Sequence, residues 1–525
     1  MRHKKIIYIV AFIFSAGLIF LSTSCNDEEF LEPGLGSTTF SQPRNTIDLE
    51  LLVEGSYYAM SGSGGWQGVI NPTILMPSFT SDEGWLPVDY IPIRDDARQW
   101  WNRDFSDRNN SQMTRLWNAG YGAISNTNDV IDFVDSDQDG TIDNKFNDRN
   151  ADAWTPRILG EAYFLRAYNY WLMVQMFGPP PTANPDAPSV ILRTAPPASG
   201  FDNPPPASVQ EVYDVIVSDL EKALTLLPEF FDSERDPHPY ADRANKWAAH
   251  FLLSRVHLML QNWDLAGQHA TAVIESGYYE LQDDVIDAWD DADYNERAPE
   301  VVWQYVTYNS NQQRWKPPIM NRYFGYTDGN GNPEQYNNGQ QLSLAQTLVQ
   351  ELNWDNLDVA MTDERHNVLY VRHNGDDPRP TFETLDELRI WPNKWYRAEY
   401  SGWGTAHNAS VPLMRLPELY LTRALIRLSN GDSQGAADDL NVVKRRVWAG
   451  EENGFTPVTA SEITEDMIHL ERMIEFAFEG DRIYYLQALQ MDIPPGDRVG
   501  VGPFPYGEIE VPIPQNEADV NPNID

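Results

Sequence analysis

This sequence predicts a mostly α-helical protein, and three observations carry that prediction. Apolar residues recur at helical spacing, most clearly over 157–177, where Ala162, Leu165, Tyr168 and Leu172 form one stripe and Phe164, Ala167, Trp171 and Val174 a second. Two pairs of such segments are separated by only a few polar residues, as in helical hairpins. Long stretches rich in Asn, Gly, Trp and Tyr show no period and predict an irregular, loop-rich portion beside the helices.

The first helix is predicted over 46–60, ended by Ser61-Gly62-Ser63-Gly64-Gly65, and an irregular aromatic stretch follows to residue 107. The next helix spans 112–134 through Leu116, Trp117, Tyr121, Ile124 and Val130. The helix over 157–177 has two apolar faces and is therefore expected at the centre of the fold. Prolines crowd 179–206, which excludes regular helix or central strand and predicts an extended surface connector. Ser208, with Glu211 three residues on, is a capping-box pattern that starts a helix running to Pro228. The pair 245–260 and 263–276, broken at Asn262 and closed by Gly277, is one hairpin; 416–429 and 433–448, turned by Asn430-Gly431-Asp432, is another. Alanines at the helix crossings (Ala266, Ala270, Ala436, Ala437) make these hairpins resemble tetratricopeptide units. Between them, 314–410 offers few elements, and a last helix over 464–489 precedes an irregular tail.

With 42% hydrophobic residues, a chain of 525 residues can bury a sizeable core. A formal net charge of −40 makes nucleic acid and anionic bilayer surfaces poor partners for the body of the protein. The 17 Trp and 25 Tyr exceed what a plain helical scaffold requires, so some are expected to face a ligand. The single cysteine, Cys25, makes an intrachain disulfide impossible and stands where an N-terminal apolar segment meets the acidic Asn26-Asp27-Glu28-Glu29. Arg2, Lys4 and Lys5 precede the apolar run 6–21, and Ser22-Thr23-Ser24 leads to the cysteine, which is the layout of a secretory signal. The run is shorter than the ~20 residues of a spanning helix. Residues 1–24 are thus expected to be a lipoprotein signal peptide and 25–43 a tether acylated at Cys25, although Leu21 lies four residues before the cysteine and Ser22 three.

Six stretches, in order, resemble the RagB/SusD family of outer-membrane nutrient-binding lipoproteins. They are LWNAGYGAISNTNDVID from Leu116, LGEAYFLRAYNYWLMVQMFGPPP from Leu159, SVQEVYDVIVSDLEKALTLLP from Ser208, the hairpin over 243–281, ERMIEFAFEGDRIYYLQAL from Glu471, and VPIPQNEADVNPNI near the C-terminus. The resemblance implies a SusD-like fold, with an N-terminal region over 44–228 and a C-terminal region over 229–525 in one body, containing tetratricopeptide-like hairpins and an irregular ligand-binding portion. It further implies a lipid-anchored protein at the outer membrane, facing the cell exterior, that captures an oligosaccharide and delivers it to a SusC-like TonB-dependent transporter. The signature residues themselves are expected to serve the fold and not the chemistry.

Sugar-binding sites combine exposed aromatic rings with amides, carboxylates and guanidinium groups. Two stretches hold that mixture: Asp82, Trp85, Arg94, Trp100 and Trp101, and then Asn311, Arg314, Trp315, Tyr323 and Tyr326. In proteins of the resembled family, ligand-contacting aromatics fall in roughly these two regions. A second site is read from Asp135-Ser136-Asp137-Gln138-Asp139-Gly140-Thr141-Ile142-Asp143, which has the spacing of a calcium loop. Asp135, Asp137, Asp139, the Thr141 carbonyl and Asp143 are the expected Ca2+ ligands. Position twelve, where a bidentate Glu is usual, is Phe146, with Asp148 as the substitute. Nucleophile, zinc-protease and phosphate-loop motifs are absent, so the chain is expected to bind and not to catalyse. The alternatives are a peptide-binding member of the same uptake system and a surface glycosidase, which needs only two carboxylates. The nine histidines show no metal-ligand spacing, and His250 and His257, two turns apart, read as packed or surface residues.

Overall fold

The computed structural model describes residues 43–61, 68–86, 95–196, 203–231, 243–289, 297–305, 342–374, 388–394 and 411–524. The signal peptide, Cys25 and nearly all of the tether lie outside them, as do Arg94, Asn311, Arg314, Trp315, Tyr323 and Tyr326. The protein is mostly helical, as expected. Its N-terminal half comprises α1 (Thr46–Ser61), α2 (Ile70–Thr80), α3 (Asp95–Trp101), α4 (Ser111–Val134), α5 (Ala151–Phe177) and α6 (Val209–Leu226). Next come α7 (Lys246–Met259), α8 (Trp263–Ile274), and the short α9 (Gln346–Glu351), α10 (Leu357–Ala360) and α11 (Glu364–Val368). The chain closes with α12 (Leu416–Ser429), α13 (Ser433–Arg446), α14 (Glu465–Glu475), α15 (Asp481–Ala488) and α16 (Gln515–Ala518).

Helices pack in succession: α1 on α4, α4 on α5, α5 on α6, α6 on α7, α7 on α8, α8 on α12, and α12 on α13 and α14. Three two-stranded antiparallel ribbons complete the described fold. They pair β1 (Gly84–Trp85) with β3 (Ser343–Leu344), β2 (Val301–Tyr305) with β6 (Val411–Arg415), and β4 (Tyr370–Asn374) with β5 (Leu388–Pro392).

The capping box forms as read: Ser208 Oγ accepts from Glu211 N–H, and the Glu211 carboxylate accepts from Ser208 N–H at 2.8 Å. Every residue of α5 from Arg157 to Phe177 is buried, which places this two-faced helix at the centre. It starts at Ala151, earlier than expected, and carries Pro156 in its second turn, where the missing N–H removes one bond of the ladder. The proline-rich connector is less superficial than expected. Val190 and Ile191 are buried, and Tyr121 and Tyr170 hydroxyls donate to the carbonyls of Ile191 and Arg193.

Many charged side chains inside the core are paired. Arg166 of α5 forks onto Asp219 of α6 at 2.7 and 2.8 Å and also donates to Asn128 of α4 at 3.0 Å. Arg157 and Arg243 together hold Glu50 and Glu161, joining α1 to α5. Near the C-terminus, Arg415 donates to Glu300, Glu475 and Glu479, while Arg365 donates to Glu471 and Glu475. Removing one member of such a buried pair strands its partner and costs about 3–5 kcal/mol. The Glu471-to-Leu489 signature is therefore an ion-pair framework, consistent with residues that serve the fold.

Two expectations need correction. The stretch between residues 61 and 107 is not irregular throughout, since it contains α2 and α3. All eleven residues of α2 are buried, its polar Asn71, Thr73, Ser78 and Thr80 included, so it has no solvent face and carries no amphipathic period, while Pro72 and Pro77 read as breakers. The segment 464–489 is two helices, α14 and α15, separated where Phe478 (φ 65°) and Gly480 (φ 82°) take left-handed backbone. The break is imposed from elsewhere: Phe478 N–H donates to Glu83 at 3.0 Å, and Gly480 lies against α2.

Candidate functional site

Trp85 lies in β1, whose register sets Gly84 opposite Leu344 and Trp85 opposite Ser343. The residues before it are anchored from the far end of the chain. Asp82 receives a two-pronged hydrogen bond from Arg482 of α15, at 2.9 and 2.9 Å. Glu83 is wholly buried, accepts from Phe478 N–H, and burial pushes its carboxyl up to about 8. The Arg389 guanidinium of β5 lies over the Trp85 indole, 3.8 Å from the ring centroid, leaving the indole partly exposed.

Gln346 and Gln350, one turn apart on α9, share a face. Asp497 caps that helix from a distant loop, accepting from Gln346 N–H at 2.6 Å and from Thr347 N–H and hydroxyl, both at 3.1 Å. Gln346 also donates through Nε2 to the Leu388 carbonyl at 2.7 Å, fixing α9 to β5. Together Trp85, Gln346, Gln350, Leu388, Arg389 and Asp497 line an open cleft of about 480 Å3. That size falls within the roughly 300–1,000 Å3 of small-molecule sites. A second pocket of about 80 Å3, lined by Trp171, Gln175, Arg255 and Arg472 among others, is too small for that role.

Of the aromatic residues expected to form the platform and described in the structure, only Trp85 reaches this cleft. Trp100 and Trp101 are 1% and 5% exposed and belong to the hydrophobic core, so the expectation that they contact ligand is corrected. Their helix α3 packs on α2, Trp100 meets Phe79 at 6.3 Å, and Trp101 is covered by the buried Arg498 guanidinium at 3.9 Å. Asp82 is committed to Arg482 and supports the site without lining it. Sequence reading missed Gln346, Gln350, Arg389 and Asp497. The helical spacing of the two glutamines was the only local signal, and the others come from separate stretches of chain.

The acidic loop after α4 closes on itself. Carboxylate oxygens of Asp135, Asp137 and Asp143 all lie within 4.8 Å of one another. Asp135 accepts from the N–H groups of Asp139 and Gly140 and from the Tyr163 hydroxyl at 2.5 Å. Asp139 instead accepts from the backbone and hydroxyl of Thr141, which hold it below the usual carboxylate range. Residual desolvation and the neighbouring Asp139 and Asp143 carboxylates raise the pKa of Asp137. Gln138 (φ 58°) and Gly140 (φ 91°) make the sharp turn. This donor set suits a hard divalent cation. Asp148 does not replace the missing twelfth ligand, because its carboxylate binds the N–H and hydroxyl of Thr46 at 2.8 and 2.9 Å. Phe146 packs on Phe133 at 4.9 Å, so an aromatic contact closes the loop.

Comparison with known proteins gives concordant matches. The family model for the SusD family matches residues 282–486, and a SusD-like model described as starch-binding and associating with the outer membrane matches 88–258. SusD-like protein P2 of Formosa agariphila is 24% identical over 521 residues, covering 94% of this chain and 91% of the relative. A SusD superfamily crystal structure from Bacteroides thetaiotaomicron superposes with a TM-score of 0.71 at 22% identity, over 92% of this chain and 99% of that one. The surface glycan-binding protein A of Bacteroides uniformis has a TM-score of 0.70 at 16% identity, over 91% and 98%.

Proposed function

We propose that this chain, which belongs to the SusD/RagB family, binds glycan in the cleft beside Trp85. The observation that carries this reading is the make-up of the cleft: one partly exposed indole, a guanidinium, two amides on one helix face and a carboxylate, open to solvent. A sugar ring packs its C–H face on an indole, while its hydroxyls bond to amide, carboxylate and guanidinium groups. Because Arg389 covers one face of Trp85, the sugar has the other face or the ring edge. The descriptions of similar proteins as starch-binding or glycan-binding support the same class of ligand.

Among the described lining residues Asp497 is the single carboxylate, and it already accepts three hydrogen bonds. Glycoside hydrolysis uses two carboxylates flanking the bond, so the cleft favours capture without cleavage. Arg94, Asn311, Arg314, Trp315, Tyr323 and Tyr326 lie outside the described residues and are kept as proposed contacts from the sequence pattern. The finer reading is a lipoprotein anchored to the outer membrane through Cys25 that passes oligosaccharide to a SusC-like TonB-dependent transporter, with Ca2+ held by the Asp135 loop.

A glycan array followed by calorimetry tests the site. Stacking on one indole face hides ~40–60 Å2 of apolar ring, or ~1–1.5 kcal/mol, so Trp85→Ala is expected to weaken binding roughly 5- to 12-fold. Unchanged affinity in a folded Trp85→Ala protein would place the ligand elsewhere.

A further inference from the structure

Three histidines meet on the first helical hairpin, and the sequence pattern pointed to only two of them. His250 and His257 lie on α7, and His269 comes from α8 across the turn. His250 Nδ1 and His269 Nδ1 are 2.9 Å apart. Both rings are partly buried. Each ring is held in place: Trp247 stacks on His250 (5.8 Å, 25°), and His257 lies parallel to His269 (5.5 Å, 4°). The His257 Nδ1 is 3.4 Å from Asn262 Nδ2, so it is occupied on its own side of the stack.

We propose that His250 and His269 form a two-nitrogen binding site for a borderline divalent transition-metal ion, of the Cu2+, Ni2+ or Zn2+ class, bridging α7 and α8. At 2.9 Å the two Nδ1 atoms cannot both carry protons, so in the metal-free protein one donates to the other and a lone pair already points into the gap. A metal ion bound to both nitrogens sits off the line joining them, so each ring turns about its Cβ–Cγ bond to aim its lone pair at the ion in place of the shared proton. With metal–nitrogen distances of ~2.0–2.1 Å, this spacing subtends an angle of about 90° at the metal. A right angle suits square-planar and octahedral ions, while a tetrahedral ion needs the nitrogens opened to ~3.4 Å. The site therefore ranks Cu2+ and Ni2+ above Zn2+. Burial pushes both imidazoles down to about 4, which keeps them neutral and able to ligate near neutral pH. Two features hold affinity in check: only two protein ligands are present, and the Lys246 ammonium lies one turn from His250, partly offset by its 3.5 Å pair with Glu229.

The test uses tag-free mature protein carrying Asp137→Ala and Asp139→Ala, so that the acidic loop does not compete for the ion. Calorimetric titration with Cu2+, Ni2+ and Zn2+ separately is expected to show one equivalent bound. His250→Gln and His269→Gln should each weaken Cu2+ binding at least about tenfold, and His257→Gln by less than about twofold. Electron paramagnetic resonance of the Cu2+ form should show coupling to two equivalent-class nitrogens that becomes one in either variant. Metal-free melting curves confirm that each variant is folded. The proposal is overturned if none of the three ions binds saturably below about 100 μM, or if the His250→Gln/His269→Gln double variant retains the parent affinity.

Discussion

Gly480 offers a sharp test of how the two ends of the chain lock together at the site. Its φ is +82°, and a Cβ added there would lie 2.6 Å from the Thr73 carbonyl oxygen and 2.9 Å from Ile74 Cα. Both are backbone atoms of α2, a fully buried helix that has no free direction in which to retreat. Gly480→Ala therefore meets two costs: about 1–2 kcal/mol for an alanine in left-handed backbone, and about 1–3 kcal/mol for overpacking. The expected loss is ~2–5 kcal/mol. Gly431, in the turn between α12 and α13, supplies the control, with φ +83° and nothing within 4 Å of an added Cβ. Gly431→Ala carries only the first cost, so the difference between the two variants isolates the contact with α2, ~1–3 kcal/mol. Urea unfolding followed by tryptophan fluorescence, with unchanged m-values, measures both. Equal destabilisation of the two variants would refute the close approach. Because Arg482 lies two residues beyond Gly480 and holds Asp82, Gly480→Ala should also weaken glycan binding at Trp85.

Glu83 gives a pH signature. Its native pKa of about 8 lies above the ordinary 4.5, so the folded chain keeps a proton that the unfolded chain releases between those values. Stability from this group is present below pH 4.5 and is lost as pH rises through about 8, at no more than about 1.4 kcal/mol per unit. Glu83→Gln should gain on the wild type from pH 5 to 8 and hold its advantage above; a difference flat with pH would contradict the assignment. For the acidic loop, ~1 mM Ca2+ acting on a ~0.1 mM site adds about 1.4 kcal/mol and a measurable rise in Tm, abolished by Asp137→Ala with Asp139→Ala. An identical melting curve in chelator would rule out that site. Mass spectrometry of membrane-extracted protein should find no peptide from residues 1–24 and a lipid adduct on Cys25, whereas an unmodified Cys25 would end the lipoprotein reading.

Local pattern was enough wherever structure is decided by neighbours along the chain. The capping box at Ser208, both helical hairpins and the buried character of α5 follow from spacing alone, because hydrogen-bond ladders and helix faces are set within a few residues. The turn of the acidic loop was legible for the same reason, its clustered carboxylates lying eight residues apart at most. α2 was hidden because a helix buried on all sides has no polar face to create a period. The break between α14 and α15 was hidden because its cause, Glu83 and α2, lies some 400 residues away in the chain. The cleft shows the same division. An aromatic-rich stretch marked Trp85 as a contact residue, but composition could not distinguish it from Trp100 and Trp101, which the core absorbs. What sequence alone determined was the helical body, the family pattern and the likeness of the loop to a calcium site. Tertiary structure decided which indole stays partly exposed, brought Arg389, Gln346, Gln350 and Asp497 to it, and set His269 against His250. Each of those contacts joins segments whose meeting depends on how whole helices and ribbons pack, and packing energy is not written in any local spacing.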